Sequence, residues 1–104
     1  MGTGYSNMRI IAKKALKDFW EREPSTKGEL EAWHAEAKNA EWARPADVKA
    51  KYGNASILKD GRVVFNICGN KYRMVVWINY AFSTIYIRFL GSHKEYDNLD
   101  AQTI

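Results

Sequence analysis

The stretch FLGSHKEYDN, residues 89–98, places His93, Lys94, Glu95, Tyr96 and Asp97 directly behind an apolar run and a glycine. These are side-chain types that move protons or hold anions. On its own the segment has two readings. It is either a polar exit from a strand, with His93 capping a terminal turn, or half of a reactive site. What decides between them is the company the rest of the chain supplies.

That company is cationic. Between Asp60 and Glu95 there is no acidic residue, while Arg62, Lys71, Arg73, Arg88 and Lys94 all fall in this window. Strand alternation sorts these charges by face. In KYRMVVWINY the set Tyr72, Met74, Val76 and Ile78 is apolar, which turns Lys71 and Arg73 outward. In IYIRFL the apolar set is Ile85, Ile87 and Phe89, leaving Tyr86 and Arg88 opposite. In VVFNIC, Val63, Phe65 and Ile67 face inward and Asn66 outward. One face should therefore display Asn66, Lys71, Arg73, Tyr86 and Arg88 together. A solvated antiparallel face needs no purpose for scattered cations. Arginines without carboxylate partners, beside tyrosines and a histidine, suit phosphates and stacked bases instead.

The elements behind this face begin with a short strand candidate at Arg9–Ala12. Ala12, Ala15, Leu16, Phe19 and Trp20 then recur at helical spacing. Pro24 stops this helix, and Thr26 with Glu29 forms a capping box for a second helix carrying Leu30, Trp33 and Ala37. Pro45 suits the first turn of a third helix around Val48. The period then switches to two, with turns at Asp60-Gly61 and Gly69-Asn70. The expected class is α+β: a helical hairpin packed on one face of an antiparallel sheet of three to four strands.

Length and composition agree with one domain over residues 8–104, preceded by a flexible leader at 1–7. The net charge of +4 and a pI near 9.2 favour a polyanionic partner. No apolar run approaches the ~18 residues of a membrane span, so no membrane partner is expected. The single cysteine, Cys68, excludes an internal disulfide, suits a reducing cytoplasm and reads as a small filler residue. One Cys and two His cannot furnish a structural zinc site, and no metal or cofactor is expected. His34 lies on the second helix as a surface or boundary residue. The four tryptophans suit core and interface packing.

The segments VFNICGNKYRMVVWINY and YIRFLGSHKEYD resemble the HigB toxins, a branch of the RelE/ParE superfamily of bacterial toxin–antitoxin systems. The matching pieces are Phe65-Asn66-Ile67, Gly69-Asn70, Lys71-Tyr72-Arg73 and the block Gly91 to Asp97, with Trp42, Pro45, Asp47, Val48 and Lys49 upstream. The resemblance implies a small RelE-like domain with two helices on a curved sheet. It also implies a ribosome-dependent endoribonuclease that cuts mRNA at the decoding site. Its implied partner is a HigA-type helix-turn-helix antitoxin, through which alone the toxin meets operator DNA.

Cleavage of RNA without a metal needs the 2′-OH deprotonated, the phosphate charge stabilised and the leaving 5′-oxygen protonated. The resemblance assigns Arg73, in the family's YR motif, to the phosphate, and Tyr96 to stacking on or orienting the nucleotide. His93 is the candidate for proton transfer, because imidazole titrates near neutrality. Lys71, Arg88 and Lys94 are further phosphate contacts, Asp97 orients His93 or its neighbours, and Asn66 offers hydrogen bonds only. Glu95 is expected to be merely solvated. RelE carries catalytic lysines on the preceding strand where this chain has Val64 and Asn66, which leaves the general base open. The alternative is a non-nuclease sibling, either a ParE-like gyrase poison or an RNA-binding module.

Overall fold

The helical stripe over residues 12–20 folds as α1 (Lys13–Arg22), with Leu16 and Phe19 fully inside and Trp20 half-buried. The computed structural model describes residues 7–104. Of the expected leader 1–7, residues 1–6 lie outside the described residues; Asn7 is exposed and in no regular element. Pro24 begins a single 3₁₀ turn, Pro24–Thr26, that runs straight into α2 (Lys27–Lys38). The expected Thr26/Glu29 capping box does not form. Thr26 has helical dihedrals, so its hydroxyl donates back to the Glu23 carbonyl at 2.8 Å and no separate helix start remains to be capped. Glu29 instead accepts the Cys68 N–H at 3.0 Å, pinning a distant turn to α2. Pro45 opens α3 (Pro45–Lys51), with Val48 buried, as its position in the sequence predicts.

The sheet has five strands and is mixed, where the sequence pointed to three or four antiparallel ones. In spatial order they are β1 (Arg9–Ile11), β5 (Thr84–Ser92), β4 (Tyr72–Asn79), β3 (Arg62–Ile67) and β2 (Ser56–Ile57). β1 runs parallel to β5, pairing Arg9 with Thr84 and Ile11 with Tyr86. Such a pairing spans most of the chain and leaves no hairpin signature to read. The two turns do carry one. Asp60 and Gly61 both adopt positive φ (56° and 83°), the left-handed pair that closes the β2–β3 hairpin. A Cβ on Gly61 would lie 2.5 Å from the Ile78 carbonyl oxygen, so only glycine fits. The next left-handed pair is Cys68 and Gly69, one residue earlier than Gly69-Asn70.

The helices and the inner sheet face enclose the main core, in which Met74, Val76, Ile78, Phe65 and Ile85 meet Leu16, Leu30 and Trp33. Trp33 packs edge-on against Phe65 (5.5 Å between centroids) and Trp42 against Tyr52 (6.1 Å). The outer face differs from the expected open, solvated surface. After α4 (His93–Asp97) the chain turns back across it, and Ala101 seals a second apolar cluster with Val64 and Val75. Leu58, Phe89, Tyr96, Leu99 and Ile104 pack around that cluster. Arg62 donates two hydrogen bonds to the main-chain oxygen of Ile104 (3.1 and 2.7 Å), and Gln102 exchanges two with Lys59. No helix of the described residues is long and apolar enough to cross a membrane.

Candidate active site at one end of the sheet

The β4–β5 ladder decides which candidate residues meet. Arg73 pairs with Gly91 and Tyr72 with Ser92, so α4 starts where β4 starts. Three hydrogen bonds hold it there. The His93 N–H donates to the Lys71 carbonyl at 3.1 Å. Ser92 and Glu95 cap α4 reciprocally, Glu95 N–H to Ser92 Oγ (3.1 Å) and Ser92 N–H to Glu95 Oε1 (2.8 Å). Glu95 is therefore structural and not merely solvated. The signal was present as Ser92-x-x-Glu95, an S-x-x-E capping box. The Ser92 backbone N–H and then its hydroxyl hold the Glu95 carboxyl below its ordinary value. Gly91 leaves the space this needs, since a Cβ there would stand 2.7 Å from the Phe89 ring and 2.8 Å from Glu95 Oε1.

Arg73, His93, Tyr96 and Asp97 gather at this sheet end. The Arg73 guanidinium carbon lies 5.7 Å from the Tyr96 ring centroid, a cation–π contact. Its Nη1 is buried and has no hydrogen-bond partner among the described residues. None of the ion pairs of the described residues includes it. The charge is thus partly desolvated and unneutralised, the condition in which a guanidinium attracts an anion most strongly. His93 Nδ1 stands 3.2 Å from Asp97 Oδ2, one helical turn away. If Nδ1–H donates to that carboxylate, the neutral ring presents the Nε2 lone pair outward.

The remaining candidates are placed elsewhere or committed. Lys94 is exposed on α4. The Lys71 ammonium sits over the Tyr72 ring (5.5 Å), away from Arg73's face. Asn66 is directly opposite Arg73, yet its amide donates to the Asn54 carbonyl at 3.2 Å, toward β2. Arg88 is the sharpest correction. The ladder slips between Val75 and Val76, which pair with Phe89 and Ile87, leaving Arg88 as the unpaired residue of a β-bulge. The bulge resets the alternation, so Phe89 joins the outer cluster and not the inner set. Arg88 itself stands about 10 Å along β5 from the Arg73 position. Trp77 faces outward, as the alternation of β4 requires, and stacks on Tyr86. His34 is half-buried on α2, with burial first and then Lys13 and Lys38 lowering its pKa. Cys68 is half-buried, and burial with Glu29 raises its thiol pKa, which suits a filler.

Fold and site define the chain first as a small RelE-like α+β domain with Arg73, His93, Tyr96 and Asp97 clustered at one end of its sheet. The chain belongs to the HigB toxin family: the family model described as a RelE-like toxic component of a toxin–antitoxin system matches residues 26–99. The chain is 36% identical over 92 residues to an mRNA interferase toxin HigB of Escherichia coli strain K12, covering 86% of this chain and 88% of the relative. The same identity and coverage hold for an mRNA interferase HigB of Shigella flexneri. A further mRNA interferase HigB, from Escherichia coli O6:H1, is 22% identical over 94 residues, with 88% and 91% covered.

Proposed function

We propose that this toxin is an endoribonuclease that cuts mRNA on translating ribosomes, acting in the cytoplasm and held in check by a HigA-type helix-turn-helix antitoxin. Operator DNA would be met only through that partner. The observation that carries the reading is Arg73: an unpaired, partly buried guanidinium propped on Tyr96, beside the His93–Asp97 pair. Its relatives bear the name mRNA interferase, which matches this chemistry.

In the proposed reaction Arg73 donates to the non-bridging oxygens of the scissile phosphate and stabilises the charge that grows there. His93, aligned by Asp97, takes the proton of the 2′-OH at Nε2. The 2′-oxygen bonds to phosphorus as the P–O5′ bond breaks, leaving a 2′,3′-cyclic phosphate, and the departing 5′-oxygen takes a proton from solvent to become the 5′-hydroxyl. Tyr96 presents its ring to the nucleotide, and Lys94 adds charge at the rim. Lys71 contacts flanking phosphate once its ammonium leaves the Tyr72 ring. Asn66 contributes at most a hydrogen bond after releasing Asn54.

The test is to express the chain with translating ribosomes and map mRNA ends. Cuts in translated regions that vanish in Arg73→Ala and His93→Ala, both folded by circular dichroism, support the reading. Toxicity untouched by those substitutions, with DNA damage in place of mRNA cuts, overturns it in favour of a gyrase poison.

A further inference from the structure

The outer face holds a second cluster that the proposed chemistry does not use. Trp77 and Tyr86 are cross-strand partners whose rings stack at 5.0 Å and 25°. The Trp77 indole N–H is fixed by the Asp60 carbonyl at 2.8 Å, and Gly61 lies against the ring. Beside this pair opens a cleft of about 330 Å³ lined by Asp60, Arg62, Trp77 and Arg88. Arg62 commits two of its nitrogens to Ile104, which aims the guanidinium and leaves Nη1 outside those bonds. Arg88, raised on its bulge, is exposed and joins none of the ion pairs of the described residues.

The bulge links this cleft to the reactive end. Because it turns Phe89 outward, Tyr86, Phe89 and Tyr96 follow one another on the same face, with the Phe89 and Tyr96 rings 6.5 Å apart. Arg88 falls between the first two and Arg73 lies against the last. Trp77 is four residues from Arg73 on β4, a separation of about 13 Å. Aromatic rings interleaved with arginines along a strand form a track for single-stranded nucleic acid, in which bases stack and phosphates are neutralised. A cross-strand aromatic pair can serve the sheet alone. An aromatic pair bordered by two arginines, on the face that carries Arg73, does more than that requires.

We infer that the Asp60–Arg62–Trp77–Arg88 cleft is a second nucleotide subsite for the same RNA strand, a few nucleotides from the scissile phosphate. A base stacks on the Trp77–Tyr86 pair, Arg88 and Arg62 take the flanking phosphate, and the Asp60 carboxylate accepts from a base amino group. The inference rests on the ribonuclease reading, and the experiment separates the two.

Fluorescent single-stranded oligoribonucleotides of three to nine nucleotides are titrated against the full chain, and cutting is followed on programmed ribosomes. Affinity is expected to rise steeply once the oligonucleotide spans both sites. Arg88→Gln and, separately, Tyr86→Leu should then weaken the long oligonucleotide about tenfold and leave the trinucleotide unchanged. Arg88→Gln alters only an exposed side chain, which guards against a Tyr86→Leu variant that does not fold. A wild-type chain that cuts mRNA yet shows no length dependence overturns the subsite alone. So does an Arg88→Gln variant that binds long and short RNA as wild type does. A chain that neither binds RNA nor cuts mRNA overturns both readings.

Discussion

Arg73 on β4 and Tyr96 on α4 meet across the end of the sheet, the guanidinium carbon over the ring and 5.7 Å from its centroid. The strand supplies the charge, the terminal helix supplies the ring, and the β4–β5 register brings them together. Removing the donor should cost transition-state stabilisation much more than stability. Arg73→Ala is expected to lower cleavage on ribosomes by about 10²- to 10³-fold. Arg73→Lys should recover little, because an ammonium lacks the planar fork. Single-turnover cleavage alongside thermal melting checks both, and equal activity in the lysine variant would remove the need for a fork.

His93 and Asp97 form the second relationship, 3.2 Å apart and both partly open to water. His93→Ala should abolish cutting. Asp97→Asn should lower it by roughly tenfold if the carboxylate only aligns the ring, within the range of general acid–base contributions. A loss in Asp97→Asn as large as in His93→Ala would assign the carboxylate a direct part in the chemistry.

Ser92 caps the helix that carries His93 and Tyr96. Ser92→Ala is expected to cost about 1 kcal/mol and to reduce cleavage more than its small stability loss accounts for, because the loss falls on α4. Hydrogen exchange at the α4 amides reads the local effect directly. Unchanged protection there would mean that the outer cluster, not the cap, holds the helix.

The Glu95 carboxyl sits below its ordinary value of 4.5 because Ser92 donates to its charged form. The folded state therefore binds fewer protons than the unfolded one between the two pKa values. The stability Glu95 contributes is complete above the unfolded value and is lost as pH falls through the folded one. The melting-temperature advantage of wild type over Glu95→Gln should narrow as pH drops from 6 into that acid window. A gap that stays constant would show that the charge plays no part.

Ala101 lies against Val64 and Val75 with only 8% of its surface exposed. Ala101→Asp forces a carboxylate into that cluster and should cost about 2–4 kcal/mol. It should also release the segment that braces Tyr96, so cleavage falls together with melting temperature. Denaturant unfolding with full retention of stability would argue that residues 98–104 rest loosely on the sheet.

How much of this was legible beforehand follows from the range of each interaction. The stripe Leu16–Phe19, the Pro45 helix start and the left-handed Asp60-Gly61 pair depend on residues a few positions apart, and they form as read. The gathering of Arg73 with His93 and Tyr96 was expected from strand alternation and from the family resemblance together. Glu95 was misread although its cap is a local motif. Arg88 and Phe89 were misplaced for a different reason: alternation holds only while each residue has a partner across the ladder. One extra residue, placed by the fit of β5 to β4, reverses every assignment beyond it.

The sequence by itself determined the α+β class, the basic sheet region and the chemical types available at the reactive end, because composition and short-range periodicity encode those. Tertiary structure alone decided that β1 pairs in parallel with β5 and that the chain end folds over the outer face. Those outcomes depend on contacts between residues 40 to 75 positions apart, such as Arg62 with Ile104 and Arg9 with Thr84. No local pattern records such contacts, because the free energy that selects them exists only once the sheet has formed.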